Sequence, residues 1–194
     1  VSDQPVVVLA STSSYRASLL RRLLDTFEQA APGTDEDALP GESPYARASR
    51  LAEAKARAVA ATRPGCVVIG SDQVADLEGT VLDKPGTVQA AHRQLEASSG
   101  RDVVFHTAVC VIDAQGKASL HVDETRVRFR TLSADDIERY VARERPLDCA
   151  GSFKCEGLGI SLFERIANDD PTALVGLPLI ATSRLLRDAG IALP

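Results

Sequence analysis

The stretch Val6-Val-Val-Leu-Ala-Ser-Thr-Ser-Ser-Tyr-Arg16 decides how the chain folds. Val6 to Ala10 is a continuous apolar run, rich in β-branched residues and too short for a helix, and it halts at the hydroxyl residues Ser11, Thr12, Ser13 and Ser14. From Tyr15 the period changes. Leu19, Leu20, Leu23 and Leu24 recur among Arg16, Arg21 and Arg22, which is the stripe of an amphipathic helix. A buried strand, a hydroxyl-rich turn and a helix in succession open an α/β fold.

The same logic extends outward. Pro32 to Ser43 is a polar loop with three successive acids, Asp35, Glu36 and Asp37, after which Ser43-Pro44 starts an Ala-rich helix running to about Thr62. Val67 to Ile69 is a second apolar strand, expected to end in Gly70-Ser71-Asp72 and so to deliver polar groups at its C-terminal end. Residues 76–86 read as a loop or short hairpin around Glu78-Gly79, and Val88 to Ala97 as a helix. Val103 to Ile112 and Ser119 to Phe129 flank the turn Asp113 to Gly116 as an antiparallel hairpin. Ser133 and Asp136 form a capping box for a helix through about Arg143, and a last helix lies between Pro178 and Gly190. No repeat or low-complexity linker interrupts this, so residues 1–194 read as one domain, two-lobed if divided at all.

Composition narrows the function. A chain of 194 residues with 44% apolar and 25% charged side chains is neither disordered nor fibrous. A net charge of −5, with no dense block of Lys and Arg, makes duplex nucleic acid an unexpected partner. No apolar run approaches the roughly 20 residues that cross a bilayer. The stretch Val1 to Ala10 lacks a basic n-region and a signal-like cleavage site, so no membrane and a cytoplasmic location are expected. Cys66, Cys110, Cys149 and Cys155 form no CxxC pair and are expected to be reduced thiols, and His92, His106 and His121 stand apart from the polar clusters. Neither a P-loop nor a nucleophile elbow is present.

Five places could carry chemistry. At Ser11 to Arg16, hydroxyls and N–H groups either cap the helix or cradle an anion beside the Arg16 guanidinium. Lys55 falls on the stripe Ala48, Leu51, Ala52, Lys55, Val59, so its stem either snorkels or delivers an ammonium to a cleft. Asp72 and Glu36 are each unremarkable alone; brought together, two carboxylates suit Mg²⁺. Lys84 precedes Pro85 in a loop. Ala150-Gly-Ser-Phe-Lys-Cys-Glu-Gly-Leu-Gly159 is either a structural glycine turn or a substrate loop offering Phe153, Lys154 and Glu156.

Taken in order, Leu9 to Ser13 with Arg16, Asp35-Glu36, Arg50-Leu-Ala-Glu-Ala-Lys55, Gly70-Ser-Asp-Gln-Val74, Lys84-Pro85, Ala150 to Lys154 with Glu156-Gly157, and Val175 to Leu179 resemble the Maf family of nucleoside triphosphate pyrophosphatases over essentially the whole chain. The resemblance implies a Maf-type, ITPase-like α/β fold: a mixed, elongated sheet flanked by helices, with a central cleft between two lobes. It also implies a divalent cation, Mg²⁺ before Mn²⁺, held by Glu36 and Asp72, and a homodimer. Ser71-Asp72-Gln73 with Ser152 to Glu156 is similar to the subgroup acting on 7-methyl-GTP, whereas the dTTP and UTP subgroup tends to carry Asp-Thr at the strand end and Gln at the position of Glu156. By the same resemblance Asp72 is the proton acceptor and Tyr15, Gln73 and Glu156 select the base; on the physical reading of this cluster, Lys55 and Lys84 with Arg16 and Ser11 neutralise the triphosphate, and Tyr15 or Phe153 stacks on the base. The chain departs from the common pattern at Asp83, where a glycine often precedes the Lys-Pro pair, and at Tyr15, where another aromatic can stand. The rival readings are a dTTP or UTP pyrophosphatase and a non-catalytic nucleotide-binding regulator of septum formation.

Overall fold

A computed structural model describes residues 4–194. Residues 1–3 of the N-terminal stretch read for a signal lie outside the described residues. The strands are β1 (Val7–Leu9), β2 (Glu28–Gln29), β3 (Val67–Leu77), β4 (Thr80–Leu82), β5 (Asp102–Ile112), β6 (Ala118–Phe129) and β7 (Phe163–Ala167). The α-helices are α1 (Ser14–Leu20), α2 (Pro44–Ala60), α3 (Val88–Ser98), α4 (Ala134–Glu144) and α5 (Leu179–Asp188). The strands join in one mixed sheet of seven, ordered β2-β1-β3-β5-β6-β7, with β4 paired to β3. Among the described residues no helix is long and apolar enough to cross a membrane.

Local chemistry sets the helix boundaries. Ser13 accepts from the Arg16 N–H, Ser43 from Ala46 with Pro44 at the first helical position, and Ser133 and Asp136 form the reciprocal capping box. α1 is shorter than its leucine stripe. After Leu20 the chain tightens, with Arg22 donating to Leu19 and Leu23 to Leu20, yet Leu23 and Leu24 still pack into the cluster that α1 begins.

The main departure from expectation is β3. Gly70, Ser71 and Asp72 have the propensities of a turn, but the strand continues through them because β5 pairs with it from Val68 opposite Ile112 to Asp76 opposite Val104. Asp72 therefore sits mid-strand, not at a strand end. On the other edge, β1 covers only Val67 to Ile69, in parallel, and β4 only Ala75 to Leu77. Gly70 to Val74 is left between them, and the sheet opens there. β4 itself completes the short hairpin expected around Glu78-Gly79.

Packing divides along the same line. At the β1 end, α1 and α5 cover one sheet face and α2 the other; at the far end α3 and α4 enclose a core around Phe105, Phe129 and Ile137. These are the two lobes, and one long sheet runs through both. α2 reaches β3 closely because Gly70 has no side chain: a Cβ there would lie 2.6 Å from the Ala56 nitrogen and collide with the Ala52 carbonyl. We expect Gly70→Ala to push α2 off the sheet and cost about 3 kcal/mol, read as a lower midpoint in urea unfolding; an unchanged midpoint would mean that the helix does not bear on this strand.

Candidate active site

In the gap between β1 and β4 lies a polar cavity of about 540 Å³. Its walls come from segments far apart in sequence: the Ser11–Arg16 turn, Glu36 of the acidic loop, Arg47, Leu51 and Lys55 of α2, Asp72 and Gln73 of β3, and Asp83 and Lys84 after β4. Asp72, Glu36, Lys55 and Lys84 thus share one cavity.

Lys55 organises the acids. Its stripe on α2 is buried as the spacing predicts, and its own side chain is 6% exposed. The ammonium donates to Asp72 Oδ1 at 2.7 Å and lies 2.8 Å from Glu36 Oε1. Both interactions go to carboxylates, and so fix where the two acids point. Burial works against the Glu36 carboxylate, but the hydrogen bond and charge of Lys55, with Lys84 and Arg16 behind them, outweigh it and hold its pKa below the usual 4.5. Lys84 is exposed on the cavity rim, near enough to take part in that effect.

Of the two readings of the hydroxyl turn, helix capping is seen, and the turn also lines the cavity. Ser13 caps α1, while Ser11 is buried and its Oγ accepts from the Ser13 N–H at 3.1 Å and from Arg16 Nη1 at 3.4 Å. Arg16 Nε donates at 2.9 Å to the carbonyl of Gly176, which also receives Ser71 Oγ at 3.1 Å. Burial draws the Arg16 pKa below its usual value, and the charges of Asp72 and Glu36 offset this only in part.

Of the residues expected to meet the base, Gln73 is engaged through its amide nitrogen and Phe153 lies outside the cavity lining. Gln73 lines the cavity, but its Nε2 faces Thr107 Oγ1 at 3.0 Å and the carbonyls of Ala173 and Leu174 at 3.0 and 3.2 Å, so its amide nitrogen ties β3 to the turn behind it. Phe153 does not stack in the cleft. Its ring is buried edge-on against Phe105, Phe129 and Phe163, with centroids 5.0, 6.1 and 4.9 Å away, because an apolar ring gains more in that core than on a polar wall. Lys154 and Glu156, on the loop that Phe153 anchors, lie outside the cavity lining. Lys154 pairs with the lining residue Asp148 at 3.5 Å, and Glu156 is exposed. Both still act on Tyr15, a half-buried cavity residue: burial raises the phenol pKa, Lys154 lowers it, and Cys149, Asp148 and Glu156 raise it further.

Residues 6–189 match the sequence pattern of the family described as Maf-like protein. The chain belongs to the Maf family. A Maf relative named 7-methyl-GTP pyrophosphatase, from Xanthomonas campestris pv. campestris (strain 8004), is 59% identical over 190 residues, spanning 98% of this chain and 99% of the relative. Another of that name, from Aromatoleum aromaticum, is 57% identical over 189 residues and 97% of each chain. In shape, a HAM1 protein from Coxiella burnetii aligns with a TM-score of 0.47 at 15% identity, over 95% of this chain and all (100%) of that one.

Within this Maf chain the donor chemistry fits a divalent cation. Glu36 and Asp72 each commit one oxygen to Lys55, and two hard carboxylates completed by phosphate oxygens and waters are the set that Mg²⁺ takes. Among the described residues no three His, Cys, Asp or Glu side chains group as a metal site, so the protein alone would supply an incomplete shell. Sequence reading missed Arg47, Asp83 and Asp148 as lining residues. Arg47 was within reach: with Leu51 and Lys55 it repeats at every fourth residue on the inner face of α2.

Replacing Lys55 with Met leaves Asp72 buried without its cation, and at pH 7 should cost about 3 kcal/mol. The sign with pH follows from Glu36: a depressed carboxyl contributes stability above its unfolded value of 4.5 and loses it as pH falls through the lower folded value. Melting curves should therefore show the gap between wild type and Lys55→Met widest at neutral pH and narrowing below 4.5, as Glu36 protonates in both proteins.

Proposed function

We propose that the chain hydrolyses the α,β-phosphoanhydride of 7-methyl-GTP, releasing the nucleoside monophosphate and pyrophosphate. The observation that carries this is the convergence, in one cavity, of Asp72 and Glu36 on Lys55 opposite Arg16 and Lys84. The names of the close relatives support the same substrate.

The reaction asks for an oriented water, a proton acceptor and neutralisation of a highly charged tail. Asp72 takes the proton of the attacking water at Oδ2, the oxygen that Lys55 does not hold, as the water oxygen bonds to the α-phosphorus and the bridging oxygen leaves with pyrophosphate. Lys55 fixes the rotamer of Asp72 and keeps Glu36 beside it. Arg16, Lys84 and the Ser11 hydroxyl receive the phosphate oxygens. A divalent cation, Mg²⁺ before Mn²⁺, held by Glu36 and Asp72, supplies charge to the phosphates when bound. The site is built within one chain, so the homodimer implied by the family resemblance contributes none of these groups, and a cytoplasmic location suits a diffusible nucleotide.

Base choice rests on charge. Methylation at N7 makes the guanine ring cationic, and the Tyr15 ring in the cavity wall stacks more strongly on a cation than on a neutral base. Glu156, close enough to influence Tyr15, adds a negative charge on that side.

Pyrophosphate release measured with Mg²⁺ over 7-methyl-GTP, GTP, UTP and dTTP decides the substrate. Turnover of UTP or dTTP in preference to 7-methyl-GTP would move the chain to the other Maf activity, and tight binding without release would make it a regulator. Asp72→Asn should lower kcat by about a thousandfold while nucleotide affinity stays within about threefold. Glu156→Gln should reduce the kcat/KM ratio of 7-methyl-GTP over GTP by about tenfold and leave GTP turnover alone; equal loss on both would remove Glu156 from base selection.

A further inference from the structure

Glu36 and Lys84 lie on separate exposed loops, and loops of this kind do not hold a side chain in place by themselves. One side chain links the two. Arg47, on the inner face of α2, is 14% exposed. Its Nη2 donates at 3.2 Å to the main-chain carbonyl of Glu36, and its Nη1 lies 3.2 Å from Asp83 Oδ1, on the residue immediately before Lys84. One turn on, Arg50 Nη2 donates at 3.0 Å to the next carbonyl of the acidic loop, that of Asp37. Arg47 Nε is buried beside the cavity with no acceptor.

We propose that Arg47 is a positioning residue, a strap that fastens the acidic loop to the Lys84 loop so that Glu36 and Lys84 address the same phosphate tail. This deepens the pyrophosphatase reading and rests on it. The guanidinium is suited to the task because it is planar and forked: its two Nη groups reach two loops at once, which a single ammonium cannot do. Arg47 acts through its neighbours. Glu36 arrives at Lys55 because its main chain is held, and Lys84 arrives at the rim because Asp83 is held. Asp83 supplies the anion that the strap needs.

The test is a double-mutant cycle read by calorimetry with inorganic pyrophosphate and Mg²⁺, a readout that needs no turnover. Arg47→Met and Lys84→Ala should each weaken pyrophosphate binding by about tenfold, and the double variant should stay within about threefold of either single, because Lys84 has little left to contribute once its loop is unfastened. Additive losses, approaching a hundredfold, or an Arg47→Met affinity equal to wild type would overturn the proposal. Arg47→Lys, able to hold one loop but not both, should recover only part of the loss; full recovery would also overturn it. Should Arg47→Met fold poorly, Asp83→Asn decides in its place: its partner side chain is 67% exposed, so the melting temperature should not move while the same non-additivity with Lys84→Ala appears. If wild type binds pyrophosphate and the cycle is coupled but no triphosphate is hydrolysed, the strap stands and the activity assignment fails.

Discussion

The contact of α2 with β3 at Gly70 is the constraint on which the rest depends. Only a residue without a side chain lets the helix backbone descend this far, and Ala48, Ala52 and Ala56 keep the approaching face smooth. At that separation Lys55 reaches Asp72, two residues beyond Gly70 on the same strand and the same sheet face, while its stem stays buried. A wider spacing would leave Asp72 as an unpaired buried acid, an arrangement that costs more than any packing it could replace.

Sheet topology then supplies the opening. β3 is long enough to serve both lobes, and its outer edge is covered by β1 at one end and β4 at the other. The uncovered stretch carries Asp72 and Gln73, and the loops that follow β1, β2 and β4 all deliver polar groups to it. Charge at the site is nearly self-balanced: two acids share Lys55, while Arg16 and Lys84 face them. An anion entering such a cleft meets the cations Arg16 and Lys84 while the acid pair is already engaged by Lys55.

Much of this was legible in the sequence. The Val6 to Arg16 unit, the Ser43-Pro44 start, the β5–β6 hairpin and the capping box rest on local rules, and each is found close to where it was expected. The stripe of α2 put Lys55 on the buried face and left open whether its ammonium snorkels or enters the cleft. What escaped depended on partners. Gly70 to Asp72 looks like a turn until β5 is alongside, and the two exposed residues of β2 show no alternation to detect. Phe153 is an aromatic suited to a ligand platform, but Phe105 and Phe129, remote in sequence, and the nearer Phe163 claim it for the core. Gln73 is claimed in the same way by carbonyls a hundred residues on. Arg47 carried a periodic signal, yet its two loops cannot be seen to converge from one dimension.

The carbonyl of Gly176 receives both Arg16 and Ser71. An arginine on an open surface explores many rotamers and surrenders that freedom when it grips a ligand, at a cost of up to about 2 kcal/mol. Here the surrender has already happened during folding, because the Nε edge is moored to the C-terminal segment. The cavity therefore meets its ligand with one cation immobilised in advance, and the tail of the chain, far from the chemistry in sequence, is what keeps it still.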